Sequence, residues 1–306
     1  MENNNVKDSS LRDFKKELGF SVAGLLCLLV YSYIEFLGLM YMTEGDSVIS
    51  IVIPGVIALF LVVLSFALPY IKSSNSAFLS KRRSKLTIVA LVSFFIFGLA
   101  SWLGVMQFFK IKSYEQEIHD LYIESVENAH LIYPKYEEYA ERRITNYQQL
   151  LEKVIAQKVA DKDQYDELVG RFAGENDQVR FKLLIKSLRR SLLPSDDTFQ
   201  NTFNVWLGTV GVANLWNVSF VHNVQVLDSR IRDYIMELNN LSARFFHPGE
   251  AHIAFEYPAY KSNEQIQNYF KFDGIVYTHY AFGAWLLTMF ALLMPWFRDI
   301  RSKKDL

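Results

Sequence analysis

One carboxylate stands inside an apolar run: Glu35, in "LLVYSYIEFLGLMYM", Leu28 to Met42. An ionisable group at bilayer depth is costly unless it is neutral or partnered, so it marks either a functional site or a structural hydrogen bond. Three readings stand. Glu35 locks its helix against a neighbour, relays protons or ions, or lies closer to water than the run suggests. The apolar runs carry no Lys or Arg to pair with it, which leaves Gln107 and His279 as the partners the sequence offers.

A second cluster is "HPGEAH", where His247, Glu250 and His252 supply nitrogen and oxygen donors within a short stretch. Zinc needs further ligands, and Pro248 with Gly249 keeps a regular helix from presenting the three on one face. The stretch is expected to be a helix stop and a surface loop, without a metal. Phosphate-binding glycine loops, nucleophile elbows, HExxH and paired cysteines are all missing from the sequence. The chain is therefore expected to be non-enzymatic and to need no cofactor.

The third feature is Thr198 to Leu227, which holds no Asp, Glu, Lys or Arg but is rich in amides, among them Asn204, Asn214, Asn217 and Asn223, beside His222. It reads as a buried central helix of a soluble domain. The alternative is a polar helix on a water-filled path through the membrane, with Asn214, Asn217, His222 and Asn223 along it.

What must position these residues follows from composition. The 306 residues are 51% hydrophobic and 15% aromatic, with a net charge of -1, and the apolar ones fall in blocks. Four blocks reach the roughly 20 residues a bilayer requires: Leu18 to Met42, Val48 to Ile71, Thr87 to Phe109 and Val276 to Phe297. The first is too long for a signal peptide and lacks a small-residue cleavage pattern, so it reads as a retained anchor.

Basic residues in short loops mark the cytoplasmic side. Lys72, Lys81, Arg82, Arg83 and Lys85 lie between spans two and three, whereas "TEGDS" between spans one and two carries only acids. Arg12, Lys15 and Lys16 near the start, with Arg298, Arg301, Lys303 and Lys304 near the end, fit the same arrangement. Both termini are placed in the cytoplasm and residues 110–275 outside it. The basic clusters suit acidic lipid head groups, and no nucleic-acid partner is expected.

The organisation is then 1–109 (N-terminal segment and spans one to three), 110–275 (outer domain) and 276–306 (span four and basic tail). The fold class is all-α: a polytopic membrane protein with an extracytoplasmic helical bundle inserted between spans three and four. In that domain Ile118, Leu121, Ser125, Ala129 and Ile132 form one stripe, and Tyr136, Ala140, Ile144, Tyr147, Leu151 and Val154 a second. Pro134 between them is expected to bend or restart the helix. "DQVRFKLLIKSLRRSLL" reads as an amphipathic helix, residues 244–262 as irregular, and Asn263 to Phe272 as a last helix. Pro54, Gly55 and Pro295 are expected to bend their spans, and Ala100 with Gly104 to let another helix approach closely.

Taken together, these features suggest a non-enzymatic integral-membrane component of a cell-envelope complex, in a bacterial inner membrane. Its partners are the bilayer and other membrane or envelope subunits, it is expected to be oligomeric, and its outer domain serves assembly or ligand sensing. A span, a helical outer bundle and a returning span form a layout similar to bacterial sensor domains, and the short tail leaves no room for a transmitter. The alternative is an oligomeric ion-conducting or proton-coupled subunit using Glu35 and residues 198–227. An enzyme built on His247, Glu250 and His252 comes last.

Overall fold

The computed structural model describes the backbone of residues 2–73, 77–172, 174–193, 198–211, 214–246, 250, 253–274 and 278–302, and their side chains outside 2–21, 73, 77–81, 198–199, 278 and 298–302. Among these, eleven α-helices form: α1 Glu2–Met42, α2 Ser47–Ser73, α3 Ala77–Ala100, α4 Trp102–Ser113, α5 Glu115–Ala156, α6 Lys162–Tyr165, α7 Asp177–Leu192, α8 Thr198–Leu207, α9 Phe220–Ala243, α10 Lys261–Phe270 and α11 Thr278–Ser302. A π-turn, Asp166–Gly170, follows α6.

Four stretches are long and apolar enough to cross a bilayer: Val22–Met42, Ser47–Lys72, Arg82–Ser113 and His279–Phe297. The third is made of α3 and α4 and extends past the expected end at Phe109, so Lys110 and Lys112 fall within it. Ser101 interrupts it. Its hydroxyl donates to the Gly98 carbonyl at 2.7 Å and meets the Tyr31 hydroxyl at 2.9 Å, a back-bond of the kind that bends helices. Pro54 and Pro69 lie inside α2 and Pro295 inside α11.

The chain divides into two compact units: Met1–Ile118 with Asn214–His222 and Gln267–Leu306, and His119–Ala213 with Asn223–Ile266. It passes between them inside α5, α9 and α10, and once between α8 and α9 at Asn214.

In the first unit Leu28, Leu61, Leu68, Phe94, Met289 and Leu292 form the main apolar core. Large apolar side chains such as Leu29, Val52, Leu59, Val63, Ile96 and Leu287 remain exposed, the outside expected of a protein whose solvent is lipid. The two ends of this bundle differ. At one, Lys72 at the end of α2 donates to the Trp296 carbonyl of α11 at 3.3 Å, and Gly24 of α1 lies against Ala291 of α11. That end gathers the approaches to all three basic segments. At the other, the Tyr41 hydroxyl donates to the Leu215 carbonyl, and Gly45, in the left-handed region with φ 91°, packs beside Val221. The acidic 43–47 loop and residues 214–222 therefore share one end.

The second unit is built on α5. Ala129, Ile132, Tyr136, Ala140, Ile144, Tyr147, Leu151 and Val154 are buried, so both stripes merge into one face. The expected restart at Pro134 does not occur: the helix is continuous, and the proline sits on its exposed side, where one missing donor costs a single bond. Near its C-terminal end Tyr147, Leu151 and Val154 pack with Leu168, Val169 and Leu184 of the π-turn and α7. Asn176 caps α7 by accepting from the Val179 N–H at 3.0 Å.

The single helix expected through Thr198 to Leu227 is also corrected. α8 ends at Leu207 and α9 begins at Phe220, and the described residues between them, 208–211 and 214–219, are not helical. Gly208 and Gly211 weaken the helix, and two asparagines close turns instead. Asn214 accepts from the Trp216 N–H at 3.1 Å and Asn217 from the Ser219 N–H at 3.0 Å. α8 has 10 residues, about 15 Å of rise, half of what a bilayer core needs.

Candidate functional site

Glu35 sits where α1 and α4 approach most closely. A Cβ placed on Gly38 would fall 1.7 Å from the Gly104 carbonyl oxygen, so the two backbones are in direct contact. A Cβ on Gly104 would lie 3.0 Å from the Glu35 Cγ, so the carboxylate stem fills the notch that glycine leaves. Glu35 is 1% exposed, and its Oε2 has no hydrogen-bond partner among the described residues. Gly104 lies in this contact, and Ala100, one turn earlier, is exposed.

The two partners expected for Glu35 are engaged or positioned otherwise. Gln107, one turn beyond Gly104, donates from Nε2 to the Tyr269 and Phe270 carbonyls at 3.2 and 2.9 Å. Lys110, one further turn on, donates to the Lys271 carbonyl and to Asp273, both at 2.7 Å. These side chains cap the C-terminus of α10, whose last carbonyls have no partner in their own helix. Asp273 is held below the ordinary carboxylate range by that lysine. His279 is exposed, and its ring lies tilted against that of Tyr280 with centroids 4.0 Å apart.

Of "HPGEAH", His247 and His252 lie outside the described residues. Glu250 is committed to Arg143, which is 7% exposed and reaches the carboxylate through Nε and, at 3.0 Å, through Nη2. The same guanidinium donates to the Ser242 carbonyl at 2.9 Å and to the Phe245 carbonyl, capping the end of α9. An acid paired in this way is a structural ligand to arginine. Among the described residues no group of three His, Cys, Asp or Glu side chains is placed to hold a metal.

The four amide and imidazole candidates, Asn214, Asn217, His222 and Asn223, are all exposed. The first two lie in turns and the others on the first turn of α9, so no single helix aligns them.

A cleft that the sequence reading did not isolate lies between α8 and α9, with a volume of about 350 Å³. Thr202, Phe203 and Trp206 of α8 line one side. Arg230, Asp233, Tyr234 and Glu237, at a spacing of three, four and seven that keeps them on one face of α9, line the other. Phe203 and Tyr234 stack with centroids 4.0 Å apart, and Arg230 lies 5.7 Å from the Trp206 ring centroid. Burial pushes the Tyr234 hydroxyl above the ordinary phenol range, with Tyr133 and then Glu237 adding to it. The signal that could have revealed the cleft is the i, i+3, i+7 charge pattern Arg230, Asp233, Glu237 beside Phe203 and Trp206.

Four helices of spanning length and apolar surface define the class as a polytopic helical membrane protein. No family model, curated protein or solved structure matches the chain.

Proposed function

We propose that this chain is a non-enzymatic, integral-membrane component of a cell-envelope complex, whose helical unit lies outside the cytoplasm and recognises a ligand. The carrying observation is the open, aromatic-walled cleft between α8 and α9, in the unit that holds no membrane span. Sharing of one bundle end by the acidic 43–47 loop and residues 214–222 supports the outer placement through the charge bias of the loops. Passage of α5, α9 and α10 between the units supports a route from ligand to membrane partners. The chain mass is 35.5 kDa, so light scattering of protein extracted in mild detergent is expected to give a protein mass well above that value. A solitary 35.5 kDa particle from native membranes would contradict assembly.

Proton coupling at Glu35 is a second reading, favoured by its buried Oε2, which has no hydrogen-bond partner among the described residues. Glu35→Gln keeps the shape and removes titration. If the carboxyl only packs, the variant assembles and functions as the parent does; loss of function with assembly intact supports coupling.

A further inference from the structure

The charges around the cleft are set apart from the ion pairs on the rest of α9. On the neighbouring face, Arg232 is neutralised by Asp228 at 2.8 Å and Glu264 at 2.7 Å. Arg230, Asp233 and Glu237 enter no ion pair among the described residues, although all three border the same cavity. A cation and two carboxylates that share a face without neutralising one another leave both signs of charge available to a guest.

Their order along α9 is also informative. Arg230 and Asp233 are three residues apart, so a cation and an anion stand side by side on one face of α9 at the edge of the cleft. Across from them stands Trp206, with Phe203 stacked on Tyr234 beside it, an apolar wall that suits an uncharged, preferably aromatic, substituent. Building on the ligand-sensing reading above, we infer that the α8–α9 cleft binds a small zwitterion, a free α-amino acid with a large apolar side chain. Arg230 takes its carboxylate, Asp233 and Glu237 its ammonium group, and Phe203 and Trp206 its side chain. A guanidinium matches a carboxylate in a forked geometry that a lysine would not, which favours this assignment of the two ends. An interior peptide residue offers neither charge and a chain terminus only one, so the pairing selects the free molecule.

The test uses the full chain in nanodiscs and isothermal titration with three probes of nearly equal shape: L-phenylalanine, L-phenylalaninamide and N-acetyl-L-phenylalanine. Saturable binding of the first is expected, with the singly charged probes weaker by about tenfold or more, the loss of one charge-assisted contact. Arg230→Met is expected to abolish the preference over the amide, and the Asp233→Asn, Glu237→Gln double variant the preference over the acetylated probe. These residues are exposed, and unchanged thermal unfolding will show that each variant is folded. Equal binding of all three probes, binding indifferent to the variants, or no saturable binding would overturn the inference. The particle-mass measurement reads assembly independently, so failure here leaves the reading of the chain as a complex component to stand or fall alone.

Discussion

Arg143 satisfies several groups with one guanidinium: both oxygens of Glu250 and the Ser242 and Phe245 carbonyls at the end of α9, while its Cζ lies 4.4 Å from the Phe246 ring centroid. Removing it strands a largely buried carboxylate and uncapped carbonyls. Arg143→Met is therefore expected to destabilise the helical unit by about 3–5 kcal/mol in thermal or denaturant unfolding, while adding Glu250→Gln recovers part of that loss. No change in the unfolding midpoint would contradict this role. Asp177 offers a pH test. Its carboxylate is held below its usual range first by the Lys158 ammonium and then by the Tyr165 hydroxyl. A depressed carboxylate pKa stabilises above the ordinary value and loses that contribution as pH falls through the folded one. Unfolding midpoints followed from pH 7 to 3 are expected to drop less in Asp177→Asn than in the parent chain. Glu35 was visible in the sequence as an anomaly, but its neighbours were not. Gln107 could have faced it or α10, and only packing of α4 against the chain returning from α10 decides between them.

At the scale of elements, glycine contacts set the membrane helices. Gly38 meets the Gly104 backbone directly, so Gly38→Ala or Gly104→Ala is expected to force α1 and α4 apart, costing about 1–3 kcal/mol. The change is measurable as a lower melting temperature in detergent, whereas Ala100→Leu, on an exposed position, should leave it unchanged. Equal effects at 100 and 104 would contradict the packing described. The spans, the α5 stripe, α7 and α10 were legible because hydrophobic periodicity over many residues is a strong signal. The break at residues 208–219 was not, since an uncharged stretch looks like a buried helix until Asn214 and Asn217 are recognised as turn-formers. Continuity through Pro134 was missed for the opposite reason: packing of the stripes on both sides outweighs one lost hydrogen bond.

For the molecule as a whole, charge bias and chain geometry converge. Approaches to the basic segments gather at one end of the membrane bundle, and the acidic loop shares the other with residues 214–222. The cleft was the least legible part, because it depends on how α8 packs on α9 and no single motif encodes that. The placement of the helical unit outside the cytoplasm is the claim on which ligand recognition rests. Single cysteines at Ser84, Ser187 and Ser229, all exposed, in a Cys27→Ser background will report it through an impermeant maleimide. In intact cells, labelling of Ser187→Cys and Ser229→Cys is expected, with Ser84→Cys reacting only after permeabilisation. Protection of Ser229→Cys beside a labelled Ser187→Cys would mean that residues 198–227 cross the membrane after all, and labelling of Ser84→Cys alone would invert the topology.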